Sequence, residues 1–563
     1  MHPILIDVRR LGLYLLGWVP LVLLLTLGLG RGAAWTTAGT VFAPLGFVFA
    51  FISLSAWYVC RTFPIGRGSA TVRILALAMA SVVASGVWIA AGDMWGVKGL
   101  DHLAKFGCLA RVLAGSYPSG PSSAEPPEIW KMITGDAIPA YNVPSGILFD
   151  IHREAAAKRP GVLTKVGMDT FVDPIHEGCA MNTRAAADPI VKRVTFAGED
   201  WLFFPTITPQ IAIIRATTAD ERGNLSYEHE GGILGPLDQA LAVRNNGGVV
   251  IAQVKRLAAA GTLRPHDVVV PGVLVDFIVV APDQLQTTHT SYEPAISGEI
   301  FRPLSWFKTP KFDSAKVIAR RVAQELRDGD AVNIGFGISA NVPRILIEEG
   351  RHGAVTWVIE QGAIGGVPLL DFQFGCASNA EAIVQSPHQF TYFQGAGFDM
   401  SLLSFLQIDR GGSVNVSKLG VRPHVTAGAG GFVDITARAK KIVFSGYFTA
   451  GAKLEIHDGA VKIAKEGKVK KLVEAVEQIS FSGPRAVAQG QDIVYVTERC
   501  VLRLAPEGVT VTEIAPGVDT EHDVLAQAEF PLRVAKDLRK MDPALFHAAP
   551  IDLKLRPAEE MAP

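Results

Sequence analysis

The sequence is short of charge. Asp, Glu, Lys and Arg together make 19% of its 563 residues, and 53 basic side chains against 54 acidic ones leave a formal net charge of −1. No Lys/Arg-rich block is present, which argues against a nucleic-acid partner, because counterion release requires clustered positive charge. Cysteine is scarce too. Cys60, Cys108, Cys179, Cys376 and Cys500 stand singly, with no C-x-x-C pair, so neither a disulfide framework nor a zinc site is expected. His176, Glu177 and Cys179, and the run Glu228-His229-Glu230, lack a second cluster at ligand spacing and read as solvated loops, so no metal is expected. Ser417 has no G-x-S-x-G context and suggests no serine triad.

The shortage of charge is uneven. Mean hydropathy is +0.27 over the whole chain, yet residues 11–30, 32–60 and 74–92 contain no charged residue at all. About 20 apolar residues suffice to cross a hydrocarbon core, so three transmembrane helices are expected at about 11–30, 39–60 and 74–92, within a membrane segment 1–95. Trp18, Trp35, Trp57, Tyr58, Trp88 and Trp95 include positions near the ends of these runs, where interfacial aromatics belong. Arg9, Arg10, Arg61, Arg67 and Arg73 place the N-terminus and the 61–73 loop inside. Three spans would then put the remainder outside.

From about residue 98 charges return at ordinary density. Short Val/Ile-rich runs such as GGVVIAQV (247–254) and DAVNIGFGIS (330–339) alternate with amphipathic stretches such as SAKVIARRVAQELRDG (314–329), the pattern of an α/β fold with buried strands. TTADERGNLS (217–226) is echoed by QIDRGGSVNVS (407–417), each followed by a helical stretch and a strand. Two similar α/β halves are therefore expected, 97–300 and 314–535, joined through a linker at 298–313 and followed by a loose tail over 540–563. The second half opens with a helix, a strand and a glycine turn. The corresponding place in the first half is occupied by the apolar runs, so its opening unit is expected to be missing.

The segment VTWVIEQGAIGGVP (355–368) ends a β run in Glu360, followed at once by Gly362, Gly365 and Gly366. A carboxylate at the carboxyl edge of an open α/β sheet lies where ligands bind, and the local pattern suits both a nucleophilic or general-base carboxylate and a solvated strand-end glutamate. Gly335 and Gly337 form a strand-to-helix turn whose N–H groups are expected to be free for an oxyanion. It lacks the third glycine of a dinucleotide fingerprint and the Lys-Ser/Thr of a phosphate loop. Further glycine loops, with Gly395 and Gly397 and with Gly428, Gly430 and Gly431, are expected to converge on the same site.

Taken in order, AYNVPSGILFDIHREAAAKRPGVLTKVGMDTFVDP (140–174), TTADERGN (217–224), VPGVLVDFIVVAP (270–282), VNIGFGIS (332–339), IEQGAIGGVP (359–368), GGSVNVSKLG (411–420), GAGGFVDIT (428–436) and EIAPGVD (513–519) resemble the family I CoA-transferases of the single-chain acetate/propionate type, over about residues 97–535. The resemblance implies two α/β halves with the active site between them and Glu360 as catalytic glutamate. It implies transfer of CoA from a short-chain acyl-CoA to a carboxylate acceptor through a glutamyl-CoA thioester. Oxyanion and CoA contacts would come from Gly335, Gly337, Gly362, Gly395, Gly397, Gly428, Gly430 and Gly431. No cofactor beyond the CoA thioester substrate is implied, and a homo-oligomer is expected. Residues 1–95 weakly resemble the membrane portion of bacterial sensor histidine kinases, so the expected protein is membrane-located with its catalytic part cytoplasmic if functional. An impaired fusion, or a membrane sensor that binds a CoA ester, are the alternatives.

Overall fold

A computed structural model describes residues 100–117, 127–287, 289–419 and 428–557. The chain divides into two compact units, 1–108 and 109–563. In the first, the described part is the helix Leu100–Lys105 and the turn that closes it, where Cys108 N–H donates to Leu103 O at 2.9 Å. The expected spans 11–30, 39–60 and 74–92 lie outside the described residues. Among the described residues no helix is long and apolar enough to cross a membrane.

The second unit is α/β. Its first half contains a parallel pair, β1 (Val112–Ala114) and β2 (Ala140–Asn142), followed by helix α1 (Ser145–Ala156). Ile147, Ile151 and Ala155 recur every fourth residue and are buried, while Asp150, Arg153 and Glu154 take the other side, which makes α1 amphipathic. An antiparallel sheet of β3 (Gly161–Thr164), β4 (Lys192–Phe196) and β5 (Glu199–Pro205) comes next. A four-stranded sheet follows, ordered β7-β6-β8-β9, from β6 (Ile211–Asp220), β7 (Leu225–Ser226), β8 (Val249–Ala258) and β9 (Phe277–Val280), with helix α2 (Pro236–Asn245) between β7 and β8.

The second half opens with α3 (Ser314–Ala323), capped by the Asp313 side chain, which accepts from Lys316 N–H at 3.0 Å. Then come β10 (Ala331–Ile334), α4 (Val342–Glu348), β11 (Thr356–Val358), β12 (Ala363–Ile364), β13 (Ala382–Ile383), α5 (Ser386–Gln394), β14 (Met400–Ser404), α6 (Phe432–Thr436), β15 (Lys441–Ser445), β16 (Asp492–Val496), β17 (Cys500–Ala505), β18 (Gly508–Ile514) and β19 (Arg533–Lys540). These strands form one ten-stranded sheet, ordered β13-β12-β11-β10-β14-β15-β16-β17-β18-β19, and its middle five run parallel. Both faces of that middle are covered, as a parallel sheet requires. Val317, Ile318 and Val322 of α3 pack on one face. Phe432 and Ile435 of α6, with Phe390, Phe393 and Phe444, pack on the other.

The internal echo is structural. Asp220 Oδ1 accepts the N–H of Arg222 and of Asn224, each at 2.9 Å; Asp409 Oδ1 accepts the N–H of Gly411 and of Ser413, at 2.9 and 2.8 Å. In both hairpins the residue three beyond the aspartate is a glycine with positive φ, Gly223 at 86° and Gly412 at 80°, a conformation that favours glycine. A helix and a parallel strand follow in each.

The halves differ at the front. In the second, β14 has β10 on one side and β15 on the other, and α3 covers one face. In the first, β6 has β8 on one side, and among the described residues only the short β7 on the other. One face of this sheet is exposed: Ile211 is 63% and Ile213 76% exposed, and Phe277 and Val279 are exposed on the same face. Among the described residues the first half thus has no counterpart of the α3–β10 unit.

The expected loose tail is corrected over 540–557. Met541, Leu545, Phe546 and Leu553 are buried in the core with α3 and α4. Glu349 accepts the N–H of Ile551 at 2.8 Å and of Leu553 at 3.2 Å, and the buried Arg320 donates to the carbonyls of His547 and Ala549. The stretch 298–313 is also more than a linker, since Phe307 is buried against Ile296, Val367 and Leu369.

Candidate active site

Strand β11 is buried through Trp357 and Val358. Asn333 of β10, itself fully buried, donates its amide to Val358 O at 3.1 Å and fixes the strand end. Glu360 lies two residues beyond that end, at the tip of a tight turn rather than on the last strand residue. Gly362 N–H donates to Ile359 O at 2.9 Å, and the chain returns as β12 antiparallel to β11. Gly362 has φ 111° and runs so close to Val384 O that a Cβ there would lie 2.0 Å from it, so this position demands glycine.

Glu360 is partly exposed, and its carboxyl group faces Gly430 and Gly431. Gly431 N–H lies close enough to it to favour its charged form. A Cβ at Gly431 would stand 2.7 Å from Glu360 Cδ, and one at Gly430 3.8 Å from Oε1. Burial of the carboxyl group raises its pKa to about 7, with the Gly431 N–H opposing the shift. Glu360 is therefore present both as carboxylate and as acid near neutral pH.

The loop that carries Gly431 is tied to the first half. Ala429 N–H donates to Asn142 Oδ1 at 2.9 Å, Gly430 N–H to Gly115 O at 2.7 Å, and Ser145 N–H to Gly430 O at 3.1 Å. Gly428, with φ 80°, lies against Asn142 and Gly115. Glu360 thus sits where the second half's hairpin meets a loop held by the ends of β1 and β2.

Two expectations about glycine are corrected. Gly335 N–H donates to Leu402 O at 2.8 Å, so it is not free for an oxyanion; the packing of Gly337 on Ser404 leaves the expectation for its own N–H unchanged. Gly395 and Gly397 terminate α5: their N–H groups donate to the carbonyls of Thr391 and Tyr392, each at 3.0 Å. The structure thus brings Gly430 and Gly431 to Glu360, with Gly362 shaping its turn. Three polar residues that the sequence reading passed over are Asn142, Gln394 and Asp434; only the position of Asp434, three residues after Gly431, hinted at a role.

Beside Gln361 a cavity of about 530 Å³ opens between β6 and the turn Phe374–Cys376, lined also by Arg215, Tyr227 and Glu230. Arg215 Nε, Tyr227 Oη and Gln361 Oε1 are buried there without a hydrogen-bond partner. Glu230 and Cys179, expected in solvated loops, are buried instead; Glu230 pairs with Arg215 at 2.9 Å.

That arrangement is an α/β fold with a half-buried carboxyl group where its two halves meet. A family profile described as Coenzyme A transferase matches residues 78–281. The caffeate CoA-transferase of Acetobacterium woodii is 41% identical over 81% of this chain and 87% of its own. The acetate CoA-transferase YdiF of Escherichia coli K12 is 38% identical over 80% of this chain and 83% of its own. Among solved structures, the apoenzyme of the acyl-CoA transferase YdiF from Escherichia coli O157:H7 superposes with a TM-score of 0.75 at 37% identity, over 82% of this chain and 86% of that one. The same enzyme's thioester complex with CoA gives 0.75 at 36% identity. The chain belongs to the coenzyme A transferase family, and its enzyme class is CoA-transferase.

The expected membrane location is corrected. The family match begins at residue 78, inside the third charge-free run, so that run belongs to the matched region and a membrane segment ending at 95 does not stand. The described helices supply no span, and the resemblance to sensor kinases is not supported by these relatives.

Proposed function

We propose that the protein moves CoA between a short-chain acyl-CoA and a carboxylate acceptor through a glutamyl-CoA thioester on Glu360. The Glu360 carboxylate attacks the acyl-CoA thioester carbonyl; the C–S bond breaks, giving an acyl-glutamyl anhydride and CoA thiolate. The thiolate then attacks the Glu360 carbonyl of the anhydride, releasing the first carboxylate and leaving the thioester. An acceptor carboxylate reverses both steps. No proton or electron is consumed in the cycle. The observation that carries this reading is a partly buried carboxylate, with its pKa near 7, facing a backbone N–H on a loop anchored in the other half. The Gly431 N–H is placed to hold the carboxylate and to stabilise negative charge that develops on its oxygens.

The cavity beside Gln361 has the size of a small-molecule pocket and exceeds the needs of an acetyl group. Its unpartnered donors, Arg215 Nε and Tyr227 Oη, suit a polar group on a longer chain. The relatives named for acetate and for caffeate span that range of acceptor size. Initial rates measured with acetyl-CoA against a series of carboxylates, from propionate to hydroxycinnamates, test the reading. Parallel double-reciprocal lines are expected for at least one acceptor. Converging lines with every acceptor, or hydrolysis without transfer, would overturn it.

A further inference from the structure

Asp434 is completely buried on α6, three residues beyond Gly431. Its Oδ2 accepts Gly146 N–H at 2.9 Å and its Oδ1 accepts the Gln394 side-chain amide at 3.0 Å. Gly146 is on α1 of the first half; Gln394 ends α5 of the second. The fit leaves no slack, since a Cβ at Gly146 would lie 2.5 Å from Asp434 Oδ1 and 2.7 Å from Gln394 Nε2. Gly146 does not have positive φ, so glycine is needed there for space and not for backbone conformation.

The three other ties between this loop and the first half, at Ala429 and Gly430, all precede Gly431. Beyond it, Val433 of α6 is buried with Tyr141, Val143 and Ile147 of the first half, and Asp434 supplies the hydrogen bonds. Gly431 N–H is thereby held from both sides, and its direction toward Glu360 depends on Asp434 keeping α6 against α1.

We infer that Asp434 is a positioning residue for the transfer reaction, acting through Gly431 by pinning α6 to Gly146 of the first half. The inference rests on the reading of Glu360 as the nucleophile. Asp434 does not touch the reacting atoms. The charged groups that face it are Asp150 of α1 and Glu360. Burial, and then these two like charges, raise its pKa to about 8, against the hydrogen bonds from Gln394 and Gly146.

The test uses Asp434→Asn and Gly146→Ala, which disturb the same contact from opposite halves, together with their double variant and Glu360→Gln. Displacing a reacting group by about 1 Å costs on the order of 100-fold. Each single variant is expected to slow single-turnover formation of the glutamyl adduct about 10- to 100-fold, with KM for acyl-CoA changed less than about threefold. The double variant is expected to be no slower than the slower single one, because the two share one contact. Should one variant fail to fold, the other carries the measurement. Wild-type adduct rates in the folded variants, a loss that appears in KM alone, or losses that simply multiply would overturn the inference while leaving Glu360 untouched. Retention of transfer by Glu360→Gln would overturn the underlying reading instead.

Discussion

Replacing Gly431 by alanine adds one methyl group at the reactive centre. The backbone there, φ −89° and ψ 3°, accepts alanine without strain. The added Cβ lies 2.7 Å from Glu360 Cδ and 2.6 and 2.8 Å from two ring carbons of Phe390. Ordinary contact begins at 3.4 Å, so about 0.7 Å must be recovered against the carboxyl group. Phe390 cannot yield, because it is buried with Phe149 and Phe393 at centroid distances of 5.7 and 6.0 Å. Glu360, at a partly exposed turn, has to move. Displacement of the nucleophile by most of an ångström is expected to lower the transfer rate about 100-fold, and the contact with Phe390 to cost about 1–3 kcal/mol of stability. Gly430→Ala is the control. Its φ of 60° disfavours alanine by about 1–2 kcal/mol, but its Cβ stays 3.8 Å from Glu360 Oε1. It should lose stability and keep most of its rate. Steady-state transfer and thermal unfolding of both variants decide the matter. Gly431→Ala within threefold of the wild-type rate, or Gly430→Ala slower than Gly431→Ala, would refute the placement of Glu360 against Gly431.

Because the nucleophile must be ionised and burial raises Glu360 to about 7, kcat/KM for acyl-CoA should rise tenfold per pH unit below 7 and level off above it; a flat profile between pH 5 and 8 would contradict this. Asp434, fully buried with its pKa raised from 3.8 to about 8, favours the folded state most below pH 3.8, and that contribution is lost as pH rises toward 8. Asp434→Asn should therefore show a weaker decline of stability across pH 4–8 than wild type in denaturant melts, and an equal decline would be inconsistent with a buried neutral carboxyl. Glu325 is also fully buried, facing Arg321, Lys441, Arg503 and Arg556, and its pKa is lowered to about 2. Its contribution is present above pH 4.5 and lost as pH falls toward 2, and Glu325→Ala, which removes the carboxylate these cations share and leaves Arg321 with Glu513 and Arg503 and Lys441 with Asp492, should cost about 3–5 kcal/mol by denaturant titration.

The α/β class and the repeated hairpin were legible because they rest on local chemistry. An aspartate bonding N–H groups two and four residues ahead, with a glycine between them, has the same spacing at 220–224 and 409–413. Glu360 stood out for a similar reason, as a carboxylate just after a β run and before glycines, although it lies in the turn beyond the strand. Glycine loops were harder to sort. Gly395 and Gly397 end a helix while Gly430 and Gly431 frame a carboxylate, and the difference lies in which carbonyls their N–H groups reach. The pairing of Gly146 with Asp434 spans 288 positions and has no local sign. The tail misled because Met541, Leu545, Phe546 and Leu553 follow no helical or strand period, yet all are buried.

The proposed mechanism requires a covalent intermediate at one residue. Incubating the protein with acetyl-CoA, digesting it and mapping CoA-derived mass by peptide tests that directly. Modification confined to the peptide containing Glu360, discharged by a carboxylate acceptor and absent from Glu360→Gln, is the predicted result. Modification at another residue, or CoA transfer that persists in Glu360→Gln, would contradict it.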